Sequence, residues 1–230
     1  MFYRSIKKNA SLLALSTAMI AAQAQALTIT QADSIALTPT NFTDSLRFNQ
    51  FDSSLGTLTS VDFFLSGTVL GDAKYESLDG GATNITLNSS AVITLENPTG
   101  STIVQTTPLA SVTSAASASD GVIDFSGTSG ATFQGVTNST SESASLTSAV
   151  DLALFTGLNT IDLVFEAIGA STASGAGNLI TQFSTMASAN ISVVYHYETT
   201  AVPEPTAFIL FGMGLSMLVV ARSRLQGKCS

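Results

Sequence analysis

The side chains best suited to catalysis or zinc binding are scarce in this chain. His196 is its single histidine and Cys229 its single cysteine, so neither a zinc site with paired histidines nor an internal disulfide can form. A serine triad would need His196 beside a nucleophile and an orienting acid. The histidine lies between Tyr195 and Tyr197 in an apolar stretch, which favours a strand histidine on the solvent face. These residues predict that the protein is not an enzyme.

One acidic, glycine-containing segment has residues of the kind that ligate calcium. Asp72, Glu76 and Asp79 lie there among Gly71 and Gly80. Calcium takes about six to eight oxygen ligands from carboxylates, backbone carbonyls and water. The spacing is not that of an EF-hand loop, because the D-x-[DN]-x-[DN]-G run is missing. A solvated acidic loop is the favoured interpretation, and calcium is the one cofactor that the sequence suggests.

Charge is distributed unevenly along the chain. Of the eight basic residues only Arg47 and Lys74 lie between residues 27 and 201, where every acidic residue except Glu204 is found. That segment carries 15 acids against 2 bases, a net charge of −13. Binding to nucleic acid requires clustered Lys and Arg, so the composition excludes nucleic acid as a partner.

The N-terminus has the three parts of a secretory signal. Basic residues precede the apolar stretch at 10–22, and Ala24 and Ala26 supply the small side chains that signal peptidase requires. The pattern predicts that residues 1–26 are a signal peptide, cleaved after Ala26. An uncleaved membrane anchor is disfavoured, because a span needs about 20 consecutive apolar residues.

The C-terminal segment 202–230 carries three features in a fixed order: a Pro-Glu-Pro motif, an apolar run at 207–221 and a basic tail. The motif consists of Val202, Pro203, Glu204 and Pro205, and the tail begins with Arg222 and Arg224. As a helix, the 15-residue apolar run would cover about 22 Å of a hydrocarbon core of about 30 Å. Basic residues stay on the cytoplasmic side, so the segment predicts a transmembrane helix that holds the chain in the membrane before processing.

The order of these features resembles the PEP-CTERM sorting signal. In that family the signal is recognised by exosortase, an integral-membrane transpeptidase-like enzyme of Gram-negative bacteria that make exopolysaccharide. The resemblance covers residues 202–228 and implies export across the inner membrane, followed by display at the outer surface or in the extracellular matrix. The tail departs from the family pattern, because it continues past Arg224 to Cys229. The alternative is an ordinary C-terminal anchor.

The segment between the two ends resembles the choice-of-anchor E domain. The resemblance lies in residues 48–52, 54–58 and 67–69, and in a closing strand at 189–197. Members of that group pair a β-rich extracellular domain with one of several sorting signals. The resemblance therefore implies a surface or matrix protein, and it brings no catalytic residues with it.

Apolar runs separated by Ser, Thr, Gly and Asn predict one all-β domain over residues 27–201, a β-sandwich or jelly roll without a capped helix. In the strand at 60–70, Phe64 interrupts the alternation, as in a strand buried on both faces. Further strands are predicted at 83–87, 91–96, 101–106, 122–125, 146–154, 159–168 and 190–198, with turns at 88–90 and 97–100 and connecting segments at 110–120 and 170–177. A signal helix before this domain and a hydrophobic helix after it complete the predicted architecture.

Three classes of function fit these observations. The first is a structural or adhesive component of the extracellular matrix, mixed with exopolysaccharide. The second is a surface module that binds a carbohydrate or calcium, which exposed Tyr or Phe on one sheet face would favour. The third is a hydrolase with an unrecognised acidic site, because carboxylate pairs of glycosidases form only in the fold. The sequence favours the first.

Overall fold

The computed structural model describes residues 26–199 together with Gly212, Gly214 and Met217. The chain divides into two compact units, and Gln25–Thr200 forms the β-rich one. The other unit consists of Met1–Ala24 and Ala201–Ser230, of which the three described residues are helical. No helix within the described residues is long and apolar enough to cross a membrane.

The β unit contains ten strands and one short α-helix. In chain order these are β1 (Ala26–Pro39), β2 (Phe42–Asn49), β3 (Thr57–Ser77), β4 (Thr83–Glu96), β5 (Thr102–Thr106), β6 (Leu109–Ala116), β7 (Gly130–Leu146), α1 (Ala149–Leu154), β8 (Thr160–Gly169), β9 (Thr172–Ser174) and β10 (Leu179–Glu198), with a single 3-10 turn at Ser53–Leu55. The strands form a four-stranded sheet of order β1-β10-β3-β7 and a six-stranded sheet of order β2-β8-β4-β5, in which β6 and β9 also pair with β4. All of these pairs are antiparallel. The predicted all-β sandwich is confirmed.

Alternation along β3 decides which side chains form the core. Val61, Phe63 and Leu65 are fully buried, whereas Phe64 is 50% exposed. The predicted strand at 60–70 is confirmed, but burial on both of its faces is wrong, because side chains of a strand point alternately to the two faces and only one face here is covered.

The two sheets pack closely where Gly67 of β3 faces β4 and β5. A Cβ atom at Gly67 would lie 2.7 Å from Ile93 Cδ1 and 2.8 Å from Thr106 Cγ2, so any larger residue at this position of β3 would force these two side chains to move. Elsewhere the interface is filled by large side chains, including an edge-to-face pair of Phe63 and Phe155 with ring centroids 5.4 Å apart.

The predicted hairpin at 88–90 is wrong, because β4 continues through it as one strand. Ser90 is buried and its hydroxyl donates to the backbone oxygen of Pro108 at 3.0 Å, so the polar side chains do not force a turn. The partners of β4 change at this point. Residues before Ala91 pair with β6, and those from Ala91 onward pair with β8.

A short helix replaces the predicted strand at 146–154. The Ser148 side chain accepts the N–H of Asp151 and so caps α1, and the Asp151 carboxylate accepts the Ser148 hydroxyl at 2.6 Å, which holds the cap in place. The expectation that residues 27–201 contain no capped helix is therefore wrong.

Two further local predictions are also wrong. The predicted strand at 122–125 is a loop, because the Asp120 and Asp124 side chains accept backbone amides two residues ahead. Most of the predicted connecting segment at 110–120 belongs to β6.

The strand predictions at 83–87, 91–96, 101–106, 159–168 and 190–198 are confirmed, together with the turn at 97–100. Strands β1, β2, β6, β7 and β9 were not predicted, and β9 lies within the predicted connecting segment at 170–177. Of these, β1, β2 and β7 are rich in Ser and Thr and lie at sheet edges, where fewer positions need an apolar side chain.

Backbone amides on three edge strands are hydrogen-bonded by the side chain of the preceding residue. The pairs are Asp33–Ser34 on β1, Asp44–Ser45 on β2 and Asn138–Ser139 on β7, with oxygen–nitrogen distances of 2.8, 2.8 and 2.9 Å. An uncovered strand edge is a template on which another chain can pair. Each of these side chains removes one amide donor from such an edge, which opposes self-association through the sheets.

We expect the triple variant Asp33→Ala, Asp44→Ala and Asn138→Ala to self-associate more strongly than the wild type, because three edge amides lose their acceptors. Sedimentation velocity over a concentration series measures this change. The double variant Asp52→Ala and Asp120→Ala removes the same number of charges from loops and should sediment like the wild type. Identical sedimentation of the triple variant and the wild type would contradict the role assigned to these side chains.

Candidate functional site

The solvent-facing side of the four-stranded sheet is the candidate ligand surface of the described chain. It holds a shallow trough of about 590 Å³, lined by residues from all four strands. We call this surface the polar face, and its side chains in the trough are Ala32 and Ser34 of β1, Asn190 and Ser192 of β10, Phe64 and Ser66 of β3, and Ser141 and Ser143 of β7. On the two inner strands these side chains point outward because their neighbours Leu65 and Ile191 are buried in the core, and the register places those of β1 and β7 on the same face.

Phe64 is the aromatic side chain of this trough. It lies on β3, an inner strand, directly opposite Ser192 on β10 and Ser143 on β7. Cross-strand partners are close neighbours on one face of a sheet, and these two are too short to cover a phenyl ring. Half of the Phe64 surface therefore stays exposed.

His196 and Asp62 form a pair beside the trough. Imidazole Nε2 lies 2.8 Å from Asp62 Oδ2, and the two side chains are 38% and 29% exposed. In the described part of the chain no hydroxyl group bonds to the imidazole ring. The predicted location of His196 in the closing strand is confirmed, since it belongs to β10. The geometry supplies a base and an acid without the bonded nucleophile of a serine triad.

The three calcium candidates are held by different parts of the chain. Asp72 accepts the Gly135 amide at 2.8 Å, and Asp79 accepts the amides of Gly177 and Asn178 at 2.7 and 2.9 Å. Their carboxylates bond to separate segments, and the described residues contain no group of three or more His, Cys, Asp or Glu side chains that could hold a metal ion. Each carboxylate has a structural task in this arrangement.

Glu76, the third candidate, is fully buried beneath the loop that joins β6 to β7. Its Oε2 accepts the Phe125 amide at 2.9 Å, while Oε1 has no partner. Phe125 adopts a left-handed backbone conformation at φ 58°, and its ring lies 4.4 Å from the Lys74 ammonium. The carboxylate and the cation together hold this loop against β3.

Both basic residues of the β unit are already engaged. Lys74 lies over Phe125, and Arg47 Nε donates to Asp162 Oδ1 at 2.8 Å across the β2–β8 pair. The hydrogen bond to Asp162 raises the pKa of Arg47. Most carboxylates therefore accept hydrogen bonds from neutral backbone amides and do not pair with cations.

Tyr195 connects the two sheets from the core. Its hydroxyl donates to the backbone oxygen of Asn49 at 2.9 Å, so β10 of one sheet is bonded to β2 of the other. Burial raises the pKa of the Tyr195 hydroxyl to about 12.

Few of the predicted processing residues fall in the described part of the chain. Ala26 does, as the first residue of β1, paired with Glu198. The others lie outside the described residues: Ala24, Val202, Pro203, Glu204, Pro205, Arg222 and Arg224. Sequence analysis did not identify the polar face. The one sequence feature that pointed to this face was Phe64, which breaks the alternation of apolar and polar residues along its strand.

No family model matches the chain, and no curated protein matches it. Among solved structures, latent PorU from Porphyromonas gingivalis has 12% identity and a TM-score of 0.26 over 77% of this chain and 14% of its own. The infectious bursal disease virus Gx strain has 12% identity and a TM-score of 0.20, over 84% and 48%. The VP2 subviral particle of that virus has 16% identity and a TM-score of 0.20, over 88% and 50%. The chain thus spans half or less of these proteins, and likenesses this low carry no argument about its function.

We expect Asp79→Ala to lower the free energy of unfolding by about 1–3 kcal/mol, because two backbone amides lose a charged acceptor. Urea denaturation measures the loss. Asp79→Asn retains one acceptor oxygen and should lose less. If added calcium stabilised the wild type but not Asp79→Ala, the residue would be a metal ligand and this structural role would be wrong.

Tyr195 should make the protein sensitive to alkali. Burial raises its pKa from 10.0 to about 12, so the folded state holds this proton more tightly than the unfolded chain. The contribution of Tyr195 to the free energy of unfolding is therefore complete below pH 10.0, and it declines as the pH rises towards about 12.

In Tyr195→Phe the free energy of unfolding should fall less steeply at alkaline pH. At neutral pH it should be lower than that of the wild type by about 1 kcal/mol, because the hydrogen bond to Asn49 is removed. Urea denaturation at neutral and alkaline pH measures both effects. An equally steep alkaline loss in the variant would assign the sensitivity to another group.

Proposed function

We propose that this chain is an exported, non-enzymatic protein that exosortase sorts to the cell surface, where it serves as a structural or adhesive component of the exopolysaccharide matrix. In this proposal a signal helix precedes the sandwich and is removed by signal peptidase. A hydrophobic helix follows it and holds the precursor in the inner membrane until the C-terminal segment is processed.

The observation that carries the proposal is the position of the sorting motif after a completed fold. The closing strand β10 ends at Glu198, and the motif begins at Val202. Ala26 pairs with Glu198, which in turn pairs with Thr57, so the first and last strands of the β unit begin and end beside each other. A domain whose two ends lie together can be released or tethered at one point without opening its sheets.

The distribution of polar groups supports a role outside catalysis. Among the described residues no nucleophile bonds to the His196–Asp62 pair, and the carboxylates of Asp72, Glu76 and Asp79 accept amides from separate segments. A net charge of −13 on residues 27–201 favours a solvated protein that does not adhere to anionic lipid or nucleic acid.

The proposal is tested by the intact mass of the protein from its native host, with and without exosortase. We expect the mature protein to lack residues 1–26 and most of the segment after Val202. Only the C-terminal loss should depend on exosortase.

The double variant Pro203→Ala and Pro205→Ala should keep the C-terminal segment while still losing the signal peptide. The matched double variant Pro39→Ala and Pro98→Ala changes two exposed prolines of the β unit and should be processed normally. Normal processing of the Pro203 and Pro205 variant, or equal processing without exosortase, would overturn the sorting proposal.

A further inference from the structure

An uncovered aromatic ring on an inner strand is the starting observation. Phe64 is 50% exposed on β3, although inner strands of a sandwich offer the best place to bury it. Serines on both neighbouring strands leave the ring open to a ligand. The face of an aromatic ring carries a partial negative charge, so it attracts the weakly positive C–H groups that line one side of a pyranose ring.

Unpartnered polar side chains surround this ring. Within the described residues, no hydrogen bond is made by the side chains of Asn190, Ser192 or Ser143. Ser66 is the next outward-facing residue of β3 after Phe64, and Asn190 of β10 is its cross-strand partner. Hydroxyl and amide groups held on strands can both donate to and accept from the hydroxyl groups of a sugar.

The trough offers no cation to an anionic ligand. Its ionisable lining residues among those described are Asp33 and Glu142, which pair with the core residues Ile191 and Leu65 and therefore have their side chains on the opposite face of the sheet from Phe64. Lys and Arg are missing from the lining, although they are the side chains that bind carboxylate, sulfate or phosphate groups. A neutral polymer would meet no repulsion here.

We propose that the polar face binds a neutral polysaccharide chain, with one sugar ring stacked on Phe64 and its hydroxyl groups bonded by Asn190 and the neighbouring serines. The trough is open and lined by all four strands, so a long polymer can lie across the sheet without having to end there. The inference rests on the proposed matrix function and names the partner within the matrix.

The test is affinity electrophoresis of the mature protein in gels that contain dextran, hydroxyethyl cellulose or the anionic polymer alginate. We expect at least one neutral polymer to retard the protein and alginate to leave its mobility unchanged. Phe64→Ala should weaken binding about tenfold, the effect of losing one stacked ring, and Asn190→Ala should weaken it less.

Two further variants keep the result interpretable. Phe64→Tyr retains the ring and should bind, which separates loss of stacking from loss of the fold. Ile168→Ala removes a side chain that is 45% exposed on β8 of the other sheet, and it should bind like the wild type.

Wild-type mobility unchanged in both neutral polymers, retardation by alginate alone, or full binding by Phe64→Ala would each overturn the inference. None of these variants touches residues 202–205, so the mass experiment reports on sorting independently. Protein that is sorted normally but binds no neutral polymer would refute the polysaccharide site and leave the sorting proposal intact.

Discussion

Hydrogen bonds from backbone amides to carboxylates are the interaction on which the loops and edges of this protein depend. Seven aspartates accept such bonds: Asp33, Asp44, Asp52, Asp72, Asp79, Asp120 and Asp124. With two bases in the β unit, cations cannot satisfy this many acids. A charged acceptor strengthens each bond, so a strongly acidic chain gains order in its turns from the same groups that keep it soluble.

The strand register connects the core to the proposed binding surface. The alternation that buries Phe63 and Leu65 brings Phe64 to the opposite face, and the pairing with β7 and β10 surrounds it with serines. A shift of one residue would exchange the two faces completely. The same pairing therefore fixes the hydrophobic core and the polar face, and neither can change without the other.

Sequence patterns predicted the strands whose core positions are densely apolar, such as β8 and β10. They failed where small polar residues continue a strand, as at Ser90, whose hydroxyl finds a backbone acceptor that only the fold provides. Asp79 accepts hydrogen bonds from the amides of Gly177 and Asn178, which are distant in sequence, so the spacing of the acidic residues could not reveal their structural role. Phe64 stood out as a break in alternation, but its exposure follows from the register and not from its neighbours in sequence.

The position of β10 has a consequence for the order of folding. Of the described strands it is the last to be synthesised, yet it lies between β1 and β3, and β1 pairs with none of the other described strands. The four-stranded sheet cannot close until Leu179–Glu198 has emerged, and pairings between such distant segments form slowly. In the proposed export route, the four-stranded sheet would therefore stay incomplete during transport, and it would close only when the residues next to the proposed sorting motif emerge.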